Sequence, residues 1–312
     1  MLEALPKATF SMLASSATLK RLASRYGMRR QASFARRFIA GESLQEALDA
    51  ARAVEKTGLL VSLDFLGESV SSREAADAAT AAYIDMVGAI VNAGISRNLS
   101  LKLTQLGLDI DRATALENLR RVLDVATPAE VFVRIDMENS PYVDPTLDTF
   151  ETLWGIGYRN LGVVLQSYLR RTDRDVVRVN RIGGRVRLVK GAYREAADVA
   201  FQQKSEVDLA FVEQMKVLLK HGHYPAIATH DPVMIDATLA FAAAEKIAKD
   251  RYEFQMLYGI RRDLQASLAA DGHPFRVYVP FGKEWFPYFM RRLGERPANV
   301  GFVVRSVLKE SL

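Results

Sequence analysis

The chain has 312 residues, of which 49% are hydrophobic and 25% are charged, and its formal net charge at pH 7 is +5. This composition excludes a disordered protein, and the lack of an apolar run near 20 residues argues against a membrane-spanning one. Because the sequence contains no cysteine, disulfides, zinc–thiolate sites and a cysteine nucleophile are excluded, and the cytoplasm is the expected compartment.

The first predicted element is a basic N-terminal segment. Between Ala4 and Gly41 there is no Asp or Glu, whereas Lys and Arg are frequent. Apolar residues from Met12 to Ile39 recur at helical spacing, which favours packed helices over a transit-peptide-like leader or a basic surface for anionic lipid or nucleic acid. We therefore predict an N-terminal helical segment over residues 1–57 and a catalytic domain over residues 58–312.

From residue 59 onward, eight strand-like runs alternate with helical stretches. Helix signals lie between the runs, for example over Ser71–Asn92, Asp109–Ala126 and Asp231–Asp250. Because no short hairpin turns join the strands, the alternation predicts parallel pairing and an α/β fold of the (β/α)8 TIM-like barrel type. A doubly wound open sheet is the alternative, although no glycine-rich first turn opens a nucleotide fold. The runs begin at Leu59, Asn98, Val131, Leu161, Arg185, Tyr224, Tyr252 and Phe275.

Polar side chains collect at the ends of these predicted strands. In a barrel of this kind the chemistry takes place at the C-terminal ends of the strands and in the loops that follow them. A barrel filled only by layers of side chains would place Val, Ile and Leu at the inward positions, so the polar residues predict a mouth that holds a polar ligand. They are Asp64, Glu68, Lys102, Thr104, Asp136, Glu138, Asn139, Gln166, Tyr168, Arg187, Lys190, Tyr193, Thr229, His230, Asp231 and Tyr278.

The fifth predicted strand, within Arg185–Glu195 (RVRLVKGAYRE), is charged where a buried strand should be apolar. Because residues two apart share a face of a strand, Arg187 lies on the face of Tyr193, and Lys190 lies on the opposite face. Desolvation of a guanidinium without an anion is costly. We therefore expect a carboxylate, a phosphate or an electron-rich ligand beside Arg187, the alternative being an edge strand with solvated cations.

Two adjacent arginines, Arg291 and Arg292, lie in the last predicted helix. Each can present a fork of donors to a carboxylate, so the pair predicts an anion site, with a surface ion pair to Glu295 as the alternative. Lys102, in an otherwise apolar strand, adds a third cation at the same mouth unless its side chain extends into solvent at the rim.

Lys102 and Lys190 also permit a different class of function. A strand-borne lysine in a barrel forms the Schiff base of a class I aldolase when burial lowers its pKa. Nearby cations and the inward acid Asp136 favour a charged lysine that binds an anion instead. His221 and His223 have a spacing that permits metal binding, but they lack a third ligand at a suitable distance, so no metal site is predicted.

Taken together, these features resemble proline dehydrogenase, the flavoenzyme family that oxidises L-proline to Δ1-pyrroline-5-carboxylate. The resemblance extends from about Arg25 to Val307. Its most diagnostic strings are RLVKGAY in the fifth strand and YFMRRLGE in the last helix, followed by NVGFV; LDFLGE, LKLTQLG, RIDME, ATHD and FQMLYG match as well. Length and architecture resemble the monofunctional bacterial form. A flavin oxidoreductase of another cyclic imino acid is the alternative within this class.

The resemblance implies FAD as the cofactor. It places Arg187 beside the reactive nitrogen of the flavin, where a fixed cation stabilises the negative charge that arrives with the hydride. It also places Asp136 in the active site, either as a base or as a group that orients Lys102 or Tyr278. The further implied FAD contacts are Met137, Gln166, Lys190, Gly191, Ala192, Thr229 and His230.

The resemblance also implies a site for L-proline. Glu68 matches an acid that pairs with Arg291 to close the site over the bound substrate. An aromatic side chain at Tyr278 leaves little room for a ring hydroxyl, so proline should be preferred over hydroxyproline. The residues implied to clamp the substrate carboxylate or to wall its ring are Lys102, Tyr193, Leu257, Tyr278, Arg291 and Arg292.

The implied partners are L-proline and a quinone electron acceptor. The acid-free N-terminus either packs on the barrel or docks the enzyme on the inner face of the cytoplasmic membrane that supplies the quinone. A nucleic-acid partner is not expected, although a basic N-terminus that binds nucleic acid is an alternative with a clear signature, a steep dependence of binding on salt.

Overall fold

Eight parallel strands close into a barrel in the computed structural model, which describes residues 34–295 of the chain. Each strand pairs with the next along the chain, and the last pairs with the first over six residue positions, from Leu60 opposite Arg276 to Phe65 opposite Phe281. The (β/α)8 prediction is confirmed, and the open sheet is excluded. The strands are β1 (Leu60–Phe65), β2 (Asn98–Leu101), β3 (Phe132–Ile135), β4 (Leu161–Gln166), β5 (Arg185–Val189), β6 (Ala226–Ala228), β7 (Glu253–Leu257) and β8 (Phe275–Phe281).

Helices connect the strands and cover the outside of the barrel. Within residues 34–295 they are α1 (Leu44–Glu55), α2 (Arg73–Ala93), α3 (Arg112–Ala126), α4 (Val143–Gly155), α5 (Thr172–Arg181), α6 (Lys204–His221), α7 (Pro232–Ala244), α8 (Arg262–Ala270) and α9 (Trp285–Glu295). Short 3-10 helices lie at Phe34–Arg37, Ser140–Tyr142 and Lys249–Arg251. No helix among these residues is both long and apolar enough to cross a membrane.

Side-chain caps set the starts of the helices. The Ser72 hydroxyl accepts a hydrogen bond from Ala75 N–H at the start of α2, and the Asp111 carboxylate accepts one from Thr114 N–H at the start of α3. These starts lie within three residues of the predicted ones.

The helix predicted over Asp231–Asp250 is shorter than expected, because α7 ends at Ala244. Lys246 adopts a left-handed backbone with φ 55°, and Ile247 N–H turns back to donate to the Ala242 carbonyl. A left-handed residue after the last turn ends a helix, and the composition of this segment carries no sign of it.

The described end of the N-terminal segment packs against the last helix. Phe38 and Ile39 are buried in one apolar cluster with Trp285 and Phe289 of α9. The predicted helical positions between Met12 and Tyr26 and the NVGFV string lie outside the described residues. The division at residue 57 stays a prediction.

Alternation along the strands divides apolar from polar residues. Leu63, Leu99 and Val133 are fully buried in the main apolar core. The neighbouring positions carry polar groups that meet inside the barrel, where the Ser62 and Ser100 hydroxyl oxygens lie 3.2 Å apart. The barrel interior is therefore polar, and its C-terminal end forms the mouth that the sequence predicts.

Candidate active site

Asp136, the first residue after β3, holds side chains from two other strands. Its Oδ1 accepts a hydrogen bond from Arg187 Nη1 at 2.7 Å, and its Oδ2 accepts one from the Tyr278 hydroxyl at 2.7 Å. Arg187 Nη2 also donates to Ser100 Oγ at 3.0 Å, and the guanidinium carbon lies 5.2 Å from the centre of the Tyr278 ring. Arg187 is 5% exposed, so this carboxylate supplies the anion that its burial requires.

Strand β5 is an interior strand, which excludes the edge-strand alternative. It pairs with β4 on one side and with β6 on the other.

Burial, followed by the charges of Asp136 and Asp64, raises the pKa of Tyr278 well above its ordinary value. The Tyr278 hydroxyl therefore stays protonated and acts as a hydrogen-bond donor.

Lys102 forms a second charged pair at the mouth. Its Nζ lies 3.6 Å from Asp64 Oδ1, and both side chains are almost completely buried. Burial opposes the charge of Lys102, but the carboxylates of Asp64 and Asp136 outweigh it and raise the pKa of Lys102. Burial raises the pKa of Asp64, against the lowering effect of Lys102. The geometry keeps Lys102 charged, because neutralising a buried ammonium beside two carboxylates would remove the attraction that compensates for burying these charges.

The positive charge of Lys102 is evidence against the class I aldolase alternative. A Schiff-base lysine needs a lowered pKa, whereas the pKa of Lys102 is raised. Lys190 is held by two carboxylates, since its Nζ donates to Asp208 of α6 and, at 2.6 Å, to Asp231 Oδ2 at the start of α7. Both lysines are therefore engaged as cations.

Glu68 and Arg291 face each other across the mouth. Arg291 Nη1 donates to Glu68 Oε1 at 3.2 Å and Oε2 at 3.4 Å, which joins the loop after β1 to α9. The Arg291 guanidinium also lies 6.0 Å from the centre of the Tyr193 ring, and the Arg292 guanidinium lies 5.2 Å from that of Tyr288. Burial opposes the charge of Arg291, but Glu68 and Tyr193 outweigh it and raise the pKa of Arg291. Burial raises the pKa of Tyr193 to about 12.

The segment after β4 packs against the segment after β5. Tyr168 N–H donates to the Lys190 carbonyl at 2.8 Å, and Gln166 Nε2 donates to the Glu138 carbonyl at 2.8 Å. Gly191 has φ 113°, and a Cβ atom there would lie 2.2 Å from the Tyr168 ring. Only glycine fits this position, because both the backbone conformation and the ring exclude a side chain.

The ends of β6 and β7 are joined by a histidine. Leu257 N–H donates to His230 Nε2 at 3.0 Å, so this nitrogen is an acceptor. Thr229 Oγ1 accepts from Asp231 N–H at 3.1 Å, which fixes the turn into α7. His230 and Leu257 thus lie side by side at the mouth.

Most of the residues singled out from the sequence meet at the mouth. Asp136, Arg187 and Tyr278 are in direct contact, as are Glu68, Arg291 and Tyr193. Met137 is buried beside Asp136, and Ala192 is exposed in the loop after β5. Arg292 follows Arg291 on α9, and Lys190 contacts helices outside the barrel. Their roles stay predictions.

Four residues contribute contacts without having been assigned a role from the sequence: Asp64, Ser100, Thr104 and Glu138. Three of them stand out as polar groups at strand ends, but their partners come from other strands. In the sequence Ser100 is only a small polar residue two positions before Lys102, which follows β2. Residues 34–295 contain no cluster of three or more His, Cys, Asp or Glu side chains that would hold a metal ion.

Comparison with known proteins identifies the family. The model of the proline dehydrogenase family matches residues 47–305. Proline dehydrogenase 1 of Bacillus subtilis strain 168 is 40% identical over 301 residues, covering 96% of this chain and 98% of that protein. Proline dehydrogenase of Deinococcus radiodurans is 42% identical over 281 residues, covering 89% and 91%.

A solved structure agrees with these matches. Proline utilization A (PutA) from Bdellovibrio bacteriovorus, inactivated by N-propargylglycine, superimposes with a TM-score of 0.78 at 28% identity. The match covers 83% of this chain but 32% of the PutA chain, so this chain spans about a third of that larger protein. The expected resemblance to the monofunctional bacterial form is confirmed by the higher identity and near-complete coverage of the Bacillus and Deinococcus enzymes. The chain therefore belongs to the proline dehydrogenase family, as an oxidoreductase that carries out the oxidation of proline, the first step of proline catabolism.

Proposed function

We propose that this chain binds FAD at the C-terminal mouth of the barrel and oxidises L-proline to Δ1-pyrroline-5-carboxylate. The observation that carries the proposal is the contact of Asp136 with both Arg187 and Tyr278. This contact holds a cation and a phenol donor at the mouth, where Lys102 is a second buried cation. Such an arrangement suits a small anionic substrate held against a cofactor that becomes more negative during the reaction.

The residues at the mouth fit a flavin. Arg187 Nε and Ser167 Oγ are buried without a hydrogen-bond partner among residues 34–295. A polar cofactor covering the ends of β4 and β5 would supply those partners. The Tyr168 ring fills the space beside Gly191, so the missing side chain lets the segments after β4 and β5 pack together at this end of the barrel. The residues proposed to hold FAD are Met137, Gln166, Arg187, Lys190, Gly191, Ala192, Thr229 and His230.

When bound, FAD would accept a hydride from the ring carbon of proline that lies next to the nitrogen and does not carry the carboxylate. The chain itself orients the substrate. Lys102, Arg291 and Arg292 are proposed to bind the carboxylate, while Tyr193, Leu257 and Tyr278 enclose the ring. Binding the substrate by its carboxylate holds it in position for the reaction. The entropy cost of orienting the substrate is then met on binding and not at the chemical step.

The cations at the mouth also act on the proton of the substrate. Proline must lose its ammonium charge before oxidation, and nearby positive groups such as Lys102 and Arg187 disfavour that charge. Both oxygens of Asp136 already accept hydrogen bonds from Arg187 and Tyr278. We therefore assign Asp136 as the group that orients these two side chains and not as a base.

The proposal includes a quinone as the final electron acceptor and peripheral docking on the cytoplasmic membrane. Both rest on the family resemblance, and the basic segment that would dock lies largely within residues 1–33, outside the described part of the chain.

The test is an absorption spectrum of the purified protein before and after anaerobic addition of L-proline. We expect a flavin spectrum that is bleached by L-proline and much less by D-proline. A protein that stays colourless after incubation with FAD and reduces no dye in the presence of proline contradicts the proposal. Covalent trapping of a carbonyl substrate by borohydride at Lys102 or Lys190 would support the aldolase alternative instead.

Arg291→Met is expected to raise the KM for proline by about 50-fold with a smaller fall in kcat, because the variant loses a charge-assisted contact to the carboxylate and the link to Glu68. Steady-state kinetics and the FAD content measure both effects. Arg112→Met is the matched control, because Arg112 forms a surface ion pair with Asp148. An unchanged KM in the Arg291 variant would remove this residue from the substrate site.

A further inference from the structure

The loop after β1, which carries Glu68, is held by Thr104 from the neighbouring loop. Ser69 N–H donates to Thr104 Oγ1 at 3.1 Å, and Val70 N–H donates to the Thr104 carbonyl at 3.2 Å. Ser69 adopts φ 57°, a left-handed conformation that is uncommon for a residue other than glycine. Such a backbone persists only when surrounding contacts impose it, so the path of the loop at Glu68 depends on Thr104.

Thr104 is held in turn by the buried carboxylate of Glu138. Thr104 Oγ1 donates to Glu138 Oε1 at 2.6 Å, and Thr104 N–H donates to Oε2 at 3.3 Å. Because the Thr104 hydroxyl oxygen accepts from Ser69 N–H, its single proton is directed at Glu138. The three residues therefore form one directed chain of hydrogen bonds that ends on the Glu138 carboxylate.

Glu138 also contacts the cofactor side of the mouth. Its main-chain carbonyl accepts a hydrogen bond from Gln166 Nε2 at 2.8 Å. Glu138 is 4% exposed, and Thr104 is fully buried. Burying a carboxylate is costly, and the hydrogen bonds that compensate for it here come from Thr104 at the mouth.

We propose that Glu138 and Thr104 are positioning residues for the ion pair between Glu68 and Arg291, and that proline affinity depends on the carboxylate form of Glu138. Through Thr104, Glu138 fixes the loop that holds Glu68 opposite Arg291. The inference rests on the proposed function, since the pair matters for affinity only if it closes over bound proline.

The charge of Glu138 changes near neutral pH. Burial raises the pKa of Glu138 to about 7, against the lowering effects of the Thr104 hydrogen bonds and of Lys102. The groups that face it are Lys102 after β2, Glu68 after β1, Tyr83 of α2, Tyr142 of the 3-10 helix and Tyr193 after β5. Above this pH the carboxylate accepts both bonds from Thr104; below it the added proton competes with the Thr104 hydroxyl and weakens the chain.

Thr104→Val tests the chain directly. We expect the KM for proline to rise about tenfold with kcat changed less than about threefold and with normal FAD content, because one hydrogen bond is worth about a factor of ten. The Kd of tetrahydrofuran-2-carboxylate, a cyclic carboxylate without the ring N–H, should rise by the same factor in calorimetry. Thr104→Ser keeps the hydroxyl and should restore both values. Thr149→Val is the matched control, because Thr149 is a buried threonine of α4.

Glu138→Gln tests the dependence on charge. In the wild-type protein the probe should bind more weakly as the pH falls through about 7, and the Gln variant should lack this change. Wild-type affinity in Thr104→Val, or the same pH dependence in Glu138→Gln, would overturn the inference. Failure of proline to bleach the wild-type flavin would contradict the proposed function instead, so the two failures are distinguishable.

Discussion

Asp136→Ala is expected to lower kcat/KM for proline by about 100- to 1000-fold. The variant removes the acceptor of both Arg187 and Tyr278, which donate to its two oxygens at 2.7 Å. A buried guanidinium that loses its carboxylate costs on the order of 3 kcal/mol, and the Tyr278 hydroxyl loses its fixed orientation as well. Steady-state kinetics with proline, together with the reduction potential of the flavin, measure the loss.

Variants that remove one hydrogen bond at a time separate the contact of Asp136 with Arg187 from its contact with Tyr278. Tyr278→Phe removes only the phenol bond and should cost about tenfold in kcat/KM, whereas Ser100→Ala removes only a secondary bond to Arg187 and should cost a few-fold. Asp136→Asn keeps the shape of the side chain but places an amide against the donors of Arg187 and Tyr278. We expect it to retain less activity than Tyr278→Phe. Activity in Asp136→Ala equal to that of Tyr278→Phe would show that the Arg187 contact is not needed.

Most of the fold could be predicted from the sequence because its signals are local. All eight strands lie within the predicted runs, since buried parallel strands are short apolar segments bounded by helix caps. The end of α7 could not be predicted, because a turn with left-handed Lys246 carries no glycine to mark it. The closure of the sheet by pairing of β8 with β1 is a long-range event that no local pattern encodes, and here it was inferred from the strand count.

The residues of the site also divide into those that could be predicted from the sequence and those that could not. Arg187 and Lys102 could be singled out because a charge within an apolar strand is a local anomaly. Their partners could not be assigned with equal certainty. Asp136 contacts Arg187 across 51 positions of the sequence, and Asp64 meets Lys102 only because β1 and β2 are neighbours in the barrel. Lys190 shows the same limit, since its charge is bound by helix residues while its main-chain carbonyl supports Tyr168.

The buried pair of Lys102 and Asp64 links stability to function. Asp64→Asn leaves Lys102 buried without its nearest carboxylate and is expected to lower the free energy of unfolding by about 3 kcal/mol. Lys102→Met leaves Asp64 buried instead, and it also removes a proposed contact to the substrate, so kcat/KM should fall by more than about 100-fold. Denaturant unfolding of the FAD-loaded protein and proline kinetics measure the two effects separately.

The two single variants should respond to pH with opposite signs. In Lys102→Met the pKa of Asp64 in the folded protein stays above its ordinary value of 3.8. The folded protein therefore binds more protons than the unfolded chain, and its stability falls as the pH rises. In Asp64→Asn the pKa of Lys102 loses the largest effect that raises it, so the folded variant binds fewer protons at high pH than the folded wild-type protein, and its stability relative to wild type rises with pH. Parallel slopes in the two variants would show that the pair is not coupled.

The double variant Asp64→Asn, Lys102→Met separates the two roles of the pair. Removing both buried charges together avoids the uncompensated charge of either single variant, so at least about half of the lost stability should return. Proline oxidation should not return, because the carboxylate of the substrate still lacks Lys102. Recovery of activity together with stability would mean that Lys102 supports the fold alone, and that the remaining cations at the mouth bind the substrate without it.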